Sequence, residues 1–324
     1  MTSDSLSART AAWAGYWATG TLHSCPGSYA GNYDGTIGAF WERGLVGLMP
    51  GTRLLDVATG NGALPLRVLQ QYGDAVEIHA IDLAQPSPGW YQAGLHPNVH
   101  LHGGIDMAAT GFADAGFDVV CSQYGIEYGA RPQALDEALR VLRPEGRLLL
   151  VLHHAGSELA EVARAESGVY AWLLAEGGML DLASRMLLWL RAASAGEPLP
   201  QEAARDRQHY NAQVRELGAR HGQGRARALA VEVVQAVHGL LALPGQGRND
   251  EAAARLARLR VDLAHAGVRS RELCEHALSA RDVQDWTQRI AAALPQAQVA
   301  CQELRQEQGV LGWALHARGA AGAG

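Results

Sequence analysis

The most constraining feature of this 324-residue chain is the stretch Leu54-Leu55-Asp56-Val57-Ala58-Thr59-Gly60-Asn61-Gly62. Its apolar run predicts a buried strand, and its glycines predict a tight turn that leads into a helix. A second apolar run closes on Asp82, twenty residues after Gly62. The predicted order is a strand, a glycine turn, a helix and a second strand that ends in a carboxylate. This order predicts a nucleotide-like ligand at the carboxyl ends of a parallel sheet.

The charge beside the turn indicates which ligand this is. Asp56 is predicted at the tip of the first strand, where its carboxylate would repel a pyrophosphate and attract an ammonium or a sulfonium. The third glycine of the dinucleotide fingerprint is also missing, because the position three residues after Gly62 is Pro65. We therefore predict S-adenosyl-L-methionine as the cofactor, with S-adenosyl-L-homocysteine as its product, rather than a nicotinamide dinucleotide.

The turn from Asp56 to Gly62 resembles the first motif of the class I, Rossmann-like S-adenosylmethionine-dependent methyltransferases, with Ala58 where many members carry glycine. The resemblance covers roughly residues 50–153 and 296–318. It implies a doubly wound α/β fold whose seven-stranded sheet is mostly parallel and has an antiparallel last strand. Further segments that match the family in order are Asp82, Asp106-Met107, Phe117–Gln123 and the turn Leu142-Arg143-Pro144-Glu145-Gly146.

The same resemblance implies the roles of individual residues. Asp82 would hold the ribose hydroxyls, Asp106 the adenine amino group, and Asp56 the ammonium of the methionine part. The alternative is that Asp56 caps a helix and that Asp82 is an ordinary turn residue at a strand end. The full set of cofactor-binding residues predicted in this way is Asp56, Ala58, Thr59, Gly60, Gly62, Asp82, Leu83, Asp106, Met107, Ser122 and Gln123.

Catalytic side chains follow less directly from the sequence. Ser122-Gln123-Tyr124-Gly125 stands where methyltransferases acting on DNA bases carry an Asp/Asn-Pro-Pro-aromatic motif, so methylation of nucleobases is not expected. The candidate acids and bases are Glu127 after the fourth strand, and His153 and His154 after the fifth. Adjacent strand residues point to opposite faces, so at most one of the two histidines is expected to face the ligand. The alternative for both is structural hydrogen bonding. His23 is a further candidate base, whereas Cys25 has nothing nearby in sequence that lowers its pKa.

Four segments are predicted along the chain. Residues 1–45 form an aromatic-rich lid or, alternatively, a helix that only packs on the sheet. Residues 46–155 and 279–319 form the cofactor-binding core, and 320–324 a flexible tail. Between the fifth and sixth strands, residues 156–278 form a large helical insertion. This insertion either roofs a pocket for an apolar or aromatic small molecule or builds a homodimer interface, and the two roles are compatible. The predicted strands are 53–58, 76–82, 99–103, 117–122, 147–153, 298–304 and 310–317, with a helix at 132–142 and another from a capping box at Ser279–Asp282 to Leu294.

The amino-acid composition argues against several classes of protein function. The chain has no lysine, since all 27 basic residues are arginine, which excludes Schiff-base enzymes and phosphate-loop ATPases. A net charge of −6 argues against a nucleic-acid partner. The four cysteines form no C-x-x-C pair, so neither a metal site nor a disulfide framework is expected. The apolar run 169–190 is interrupted by charged residues, so we expect no membrane segment and a cytoplasmic location.

These observations predict a methyltransferase that moves a methyl group to an O or N atom of a small, apolar or aromatic acceptor by in-line displacement. Two alternatives stay open at this stage. The same fold could catalyse another reaction of S-adenosylmethionine or serve as a non-catalytic module that senses it. A nicotinamide-dependent reductase is disfavoured by Asp56, Pro65 and the absence of lysine.

Overall fold

The computed structural model of the chain describes residues 3–24, 31–130, 132–307 and 309–319. Cys25 and the predicted tail at 320–324 lie outside these residues. The strands are β1 Thr52–Val57, β2 Val76–Asp82, β3 Val99–Gly103, β4 Phe117–Gln123, β5 Leu142–Leu152, β6 Gln298–Gln306 and β7 Gly309–Arg318. The helices are α1 Ser3–Trp17, α2 Gly35–Leu45, α3 Ala63–Tyr72, α4 Gln133–Val141, α5 Glu158–Leu173, α6 Met179–Ser194, α7 Gln201–His221, α8 Arg227–Leu241, α9 Asn249–His276 and α10 Ala280–Ala293.

The seven strands form one sheet in the order β3-β2-β1-β4-β5-β7-β6. The strands β1 to β5 run parallel, whereas β7 is antiparallel to both β5 and β6. The predicted fold class is therefore confirmed. The strand order reverses between β1 and β4, and such a reversal opens a crevice at the carboxyl ends of the two strands, where ligands of open α/β sheets bind.

Alternation of side chains along the strands gives the sheet two buried faces. Leu55 and Val57 of β1 join a core that includes Leu135 of α4 and Trp286 of α10. Leu54, the residue before Leu55, joins the opposite core with residues of α2 and α3. Helices on both faces are the reason why β1 reads as a continuous apolar run instead of an alternating one.

Two local predictions can be compared with the structure directly. The capping box is present: Asp282 N donates to Ser279 Oγ at 3.3 Å, and Ser279 N donates to the Asp282 carboxylate at 2.8 Å. Strand β5, by contrast, begins at Leu142 instead of Arg147. The turn before Arg147 is drawn into the sheet because Leu142 pairs with Phe117, and the register then shifts before Arg147 pairs with Val119.

The chain divides into two compact units, one of residues 1–160 with 272–324 and one of residues 161–271. The second unit is helical and has its own apolar core. It includes Val169, Leu173, Leu180, Leu187, Tyr210, Val233, Val237 and Leu256. Its function as an acceptor cap or a dimerisation element stays a prediction.

One stretch of the described residues, Arg227–Gln246, is long and apolar enough to cross a membrane by length and composition. Its positions Ala230, Val233 and Val237 are buried in the core of the helical unit. Their spacing of three and four residues is that of a helix packed inside a folded unit. A single such stretch is weak evidence for a membrane span.

Candidate cofactor and acceptor site

Two neighbouring cavities lie at the carboxyl ends of β1, β2 and β4. The larger has a volume of about 760 Å³, which is within the range of small-molecule sites. The smaller, of about 30 Å³, has room for little more than one or two water molecules. The two linings have four residues in common, Trp13, Trp17, Ala58 and Tyr124. These four side chains form the wall at which the two cavities meet, and we refer to them as the shared wall.

Asp82 lies in the lining of the larger cavity and also organises the glycine turn. One carboxylate oxygen accepts from Gly60 N and the other from Ala84 N, each at 2.8 Å. Burial raises the pKa of Asp82, and these backbone donors act in the opposite direction. Asp82 is thus held in place by the chain at the end of β2, with its carboxyl group at the cavity surface.

The other residues predicted to bind the adenosine part lie around the same cavity. Leu83, Asp106 and Met107 line it together with Asp82. Asp106 is exposed, and its Oδ1 accepts from Ala108 N at 2.9 Å. The structure therefore brings together an apolar pair and two carboxylates that come from the ends of β2 and β3.

Asp56 lies in the lining of the smaller cavity and is almost completely buried, with 2% of its surface exposed. Thr59 Oγ1 donates to Asp56 Oδ2 at 2.6 Å, and the Cys121 thiol lies 3.7 Å from Oδ1. Burial raises the pKa of Asp56 to about 7, although the hydrogen bond from Thr59 lowers it. A cation placed beside this carboxyl group would favour its ionised form.

Both glycines of the turn are covered by tryptophan rings. A Cβ atom on Gly60 would lie 2.5 Å from the ring of Trp17, and one on Gly62 would lie 2.8 Å from that of Trp90. Both glycines also have positive φ, at 55° and 73°. Each position therefore requires glycine for two reasons: the backbone has positive φ, and a side chain would overlap the tryptophan ring.

The N-terminal segment is tied to this turn by hydrogen bonds. Asn61 Nδ2 donates to the carbonyl oxygens of Trp17 at 2.9 Å and Thr21 at 2.8 Å. Trp17 Cζ2 covers the surface of Gly60 to which the methionine part of the cofactor is predicted to bind. The role of this segment as a lid stays a prediction.

Two strained residues face each other in the shared wall. Ala58 has a φ of 57° and Tyr124 a φ of 53°, in a region that residues other than glycine rarely adopt. They follow β1 and β4, the two strands between which the strand order reverses. Backbone strain of this kind persists where the surrounding structure imposes it, and it is common at functional sites.

The end of β4 provides one structural and one cavity-lining residue. Ser122 is fully buried, donates to Val57 O at 2.7 Å and accepts from Ile126 N at 3.0 Å, so it holds the end of β1 to the loop after β4. Gln123 lines the smaller cavity, and its Oε1 accepts from Trp41 Nε1 at 2.5 Å. Its buried Nε2 has no hydrogen-bond partner within the part of the chain that the structure describes. Such a donor favours a ligand with an acceptor oxygen.

The three residues predicted as acids or bases lie outside both cavity linings. Glu127 Oε1 accepts from His153 N at 2.8 Å and lies 2.7 Å from His153 Nδ1, and both side chains are buried. His154 packs on Trp313 and lies 3.4 Å from Glu303. Neither histidine lines either cavity, and the two side chains have different surroundings, as adjacent positions on a strand allow. The ring of His153 stacks on Tyr124 with centroids 4.4 Å apart, so it can position a residue of the shared wall.

Several cavity residues were missed by the sequence reasoning. Arg9 and His276 lie in the lining of the larger cavity, whereas Tyr33, in that of the smaller, falls within the segment 1–45 predicted as an aromatic-rich lid. Arg9 Nη1 donates to Tyr128 O at 2.9 Å, and its guanidinium pairs with Glu272. These residues come from α1, the loop before α2 and the end of α9, so no local motif identifies them. His23, a candidate from the sequence, does line the smaller cavity and stacks on Tyr33 at 4.4 Å.

A family model described as "Methyltransferase domain" matches residues 54–146. That segment runs from β1, through the glycine turn, Asp82 and the end of β4, into β5. Residues 54–146 belong to the class I S-adenosylmethionine-dependent methyltransferases. The expected cofactor of this methyltransferase domain is therefore S-adenosylmethionine.

Named relatives align with about a third of the chain. The "Ubiquinone/menaquinone biosynthesis C-methyltransferase UbiE" of Ruegeria sp. is 38% identical over 107 residues, which cover 32% of this chain and 42% of the relative. The "2-phytyl-1,4-naphtoquinone methyltransferase" of Synechocystis sp. is 33% identical over 121 residues, covering 35% of this chain and 50% of the relative. The chain thus spans half or less of the length of these curated relatives.

Among solved structures, a geranyl diphosphate C-methyltransferase from Streptomyces coelicolor A3(2) overlaps with a TM-score of 0.30 and 17% identity. The overlap covers 36% of this chain and 42% of that one. A superposition this limited supports no inference about function.

Proposed function

We propose that this protein transfers the methyl group of S-adenosylmethionine to a small aromatic acceptor that carries a ring hydroxyl. The observation that carries the proposal is the pair of cavities at the switch point of the sheet. One has the carboxylate of Asp82 at its edge, the other has Asp56 and Gln123, and an aromatic wall lies where they meet.

In the proposed complex, the adenosine part of the cofactor lies in the larger cavity. Asp82 binds the ribose hydroxyls, Asp106 the adenine amino group, and Leu83 and Met107 contact the adenine ring. The ammonium of the methionine part lies near Asp56, and binding it favours the carboxylate form. Gly60 and Gly62 allow the backbone to come close once the ring of Trp17 has moved.

The sulfonium is then expected at the shared wall. Aromatic faces attract a cation within about 6 Å of the ring centroid, so Trp13, Trp17 and Tyr124 are suited to a positively charged sulfur. Methyl transfer needs the acceptor atom about 3–3.5 Å from the methyl carbon and in line with the bond that breaks. The bond from methyl to sulfur breaks as the bond to the acceptor forms, and sulfur leaves as a neutral thioether.

The acceptor is proposed to enter from the smaller cavity. Its lining combines aromatic rings with the unpartnered amide donor of Gln123, which suits a planar ring bearing an oxygen. The cavity of about 30 Å³ must widen to admit a ring, which again involves Trp13 and Trp17. The sequence predicted an O or N acceptor atom, whereas the names of the aligned relatives favour a ring carbon. We propose a carbon adjacent to the hydroxyl, because loss of the hydroxyl proton makes that carbon nucleophilic.

His23 is the proposed base for this proton. It lies in the cavity lining, and burial lowers its pKa, so its imidazole is neutral at physiological pH. His23 Nε2 lies 2.7 Å from Gly31 O, and donation through that contact would leave the basic lone pair on Nδ1.

A turnover assay with mass spectrometry tests the proposed function. The purified chain is incubated with S-adenosylmethionine and 1,4-naphthoquinol, kept reduced with dithionite, with catechol and aniline in parallel. A product heavier by one methylene and retaining both hydroxyls supports carbon methylation. A methyl ether or methylated amine supports the O or N acceptor instead. Tight cofactor binding without turnover of any of the three would contradict the proposed reaction and favour the sensing module.

A further inference from the structure

A third cavity, of about 350 Å³, lies at the opposite end of the same sheet. Arg147 pairs with Val119 near the start of β4, and Arg318 is the last residue of the antiparallel β7, whereas the cofactor site is at the carboxyl ends of the parallel strands. The lining residues are Phe40, Arg43, Gly44, Val46, Arg147, Leu149, Gln298, Gln302, His316, Ala317 and Arg318. All of them belong to the unit that contains the sheet.

This lining contains three arginines and a histidine but no carboxylate. Arg147 and Arg318 are direct cross-strand partners in the pairing of β5 with β7. Like charges placed directly opposite each other on neighbouring strands are destabilising. Burial lowers the pKa of Arg147, and the charge of Arg318 lowers it further.

Few protein groups offset this charge. Arg147 Nη1 donates to the backbone carbonyls of Val46 at 2.7 Å and Gly44 at 3.2 Å, which fixes its side chain without neutralising it. Arg43 and Arg318 form no ion pair or side-chain hydrogen bond with the residues that the structure describes. Two guanidinium groups are therefore left to donate into the cavity or to solvent.

The remaining lining gives the cavity a mixed character. Phe40 and Leu149 are buried apolar side chains, and Gln298, directly opposite Arg318 on β6, adds an amide. Val46 lies in the lining with 60% of its surface exposed, and Met49 nearby in sequence is 70% exposed. An apolar base with several convergent cationic donors is the composition of a small-molecule site for an anion.

We propose that this cavity is a binding site for a phosphate-bearing ligand, separate from the methyl-transfer site. Guanidinium groups bind phosphate through paired, charge-assisted hydrogen bonds, which is why arginine is preferred at such sites. A phosphate near Arg147 and Arg318 replaces their mutual repulsion by attraction. The phosphate can belong to a soluble metabolite or to a lipid headgroup, and both present the same chemistry to the arginines.

Calorimetry and thermal unfolding of the whole chain test the site with inorganic pyrophosphate as the probe. Wild-type protein is expected to bind pyrophosphate and to show a higher Tm in its presence, because ligands that bind only the folded state stabilise it. Arg318→Gln is expected to weaken this binding at least tenfold. Arg258→Gln, which removes the same charge from the helical unit, is the matched control and is expected to bind like the wild type.

A second measurement separates a ligand site from a structural role. Without anion, Arg318→Gln is expected to have a Tm equal to or above that of the wild type, because a like-charge repulsion is removed. Arg318→Lys keeps the charge but loses the paired donors, so it is expected to restore part of the binding. A lower Tm for Arg318→Gln with unchanged pyrophosphate affinity would overturn the proposal.

The source of the phosphate is distinguished with vesicles. Co-sedimentation with phosphatidylglycerol vesicles but not with phosphatidylcholine vesicles, lost in Arg318→Gln, assigns the site to an anionic headgroup. Binding of pyrophosphate without co-sedimentation assigns it to a soluble phosphate compound. If neither probe binds, or if both bind the Arg318→Gln variant as well as the wild type, the proposal is wrong. Cofactor affinity is measured in parallel and is expected to be unchanged, so failure of this site is distinguishable from failure of the methyltransferase proposal.

Discussion

At the scale of single residues, the buried carboxyl group of Asp56 makes stability depend on pH. Its pKa of about 7 in the folded protein is well above the ordinary value of 3.8 because the carboxyl group is buried. A raised pKa means that the folded state holds the proton more tightly than the unfolded state does. The resulting contribution to stability is complete below about pH 4 and is lost as the pH rises through 7, at up to ~1.4 kcal/mol per pH unit.

The same group is expected to make cofactor binding depend on pH. If the ionised form of Asp56 binds the ammonium of the cofactor, Asp56 must lose its proton when the cofactor binds below pH 7. Affinity for S-adenosylhomocysteine is then expected to rise between pH 6 and 8, by up to about tenfold per pH unit in the lower half of this range. Isothermal calorimetry in two buffers of different ionisation enthalpy measures the released proton. In Asp56→Asn the affinity should be weaker and nearly independent of pH, and an unchanged pH profile would contradict the role assigned to Asp56.

Ala58 gives a prediction about backbone strain. A non-glycine residue at positive φ costs roughly 1–2 kcal/mol, and the greater freedom of glycine in the unfolded chain offsets about half of the gain from replacing it. Ala58→Gly is therefore expected to raise the free energy of unfolding by ~0.5–1 kcal/mol, as measured by urea denaturation. Ala115 has a similar φ of 49° in an exposed loop, so Ala115→Gly is the matched control and should stabilise by a similar amount. A destabilised Ala58→Gly would mean that the methyl group of Ala58 contributes packing that outweighs the strain.

His23 gives a prediction about catalysis. Because general bases typically contribute 10²–10⁴-fold, His23→Gln is expected to lower kcat about 100-fold or more with little change in cofactor affinity. The wild-type rate should fall on the acidic side of pH 6.5, since the pKa of His23 is lowered from that value, and the variant should lack this dependence. His209→Gln, in an exposed position on α7, is the control. Wild-type rates for His23→Gln would show that another group removes the proton or that none is needed.

At the scale of elements, the contact of α1 with the glycine turn is expected to control access to the site. Gly60 and Gly247 both have positive φ, at 55° and 74°, but a Cβ on Gly247 meets nothing within 4 Å, whereas one on Gly60 overlaps the ring of Trp17. Gly60→Ala and Gly247→Ala therefore share the cost of positive φ and differ in the displacement of the Trp17 ring. We expect a larger loss of Tm for Gly60→Ala and at least tenfold weaker binding of S-adenosylhomocysteine. Equal effects of the two substitutions would show that the ring of Trp17 plays no part.

The strands of the core could be predicted from sequence because each buried strand is a short apolar run of consecutive residues. The bounds of β2 and β3 match the predicted ranges, and β1 differs by one residue at each end. The start of β5 could not be predicted, since its first residues look like a turn and join the sheet only through pairing with β4. The pairing of Glu127 with His153 could have been expected, because the two residues follow neighbouring strands.

The aromatic part of the site could not be predicted at the same level of detail. Trp17 lies before the first strand and Trp90 in the connection between β2 and β3, and nothing local shows which ring covers which glycine. The arginine-lined cavity could not be predicted for the same reason. Arg43, Arg147 and Arg318 are far apart in sequence, and only the register of β5 with β7 and the position of α2 bring them to one cavity.

At the scale of the whole molecule, the chain combines a methyltransferase core with a helical unit of residues 161–271 that has its own apolar core. The family model matches residues 54–146, which lie within the core and outside the helical unit. Its proposed roles, as an acceptor cap or a dimer interface, are separable by measuring mass in solution with and without acceptor. The central claim concerns the core alone: its carboxylates and glycine turn hold S-adenosylmethionine.

Calorimetric titration of S-adenosylhomocysteine into wild-type protein and Asp82→Ala tests this claim most directly. Asp82→Ala is expected to weaken binding by ~1–3 kcal/mol, because charge-assisted hydrogen bonds to the ribose are lost. Circular dichroism verifies that the variant is folded, and Asp114→Ala, in an exposed position away from the cavities, should bind like the wild type. One molecule bound per chain, with affinity reduced only in Asp82→Ala, is the predicted result. Folded wild-type protein that does not bind S-adenosylhomocysteine, or equal affinity in Asp82→Ala, would contradict the account.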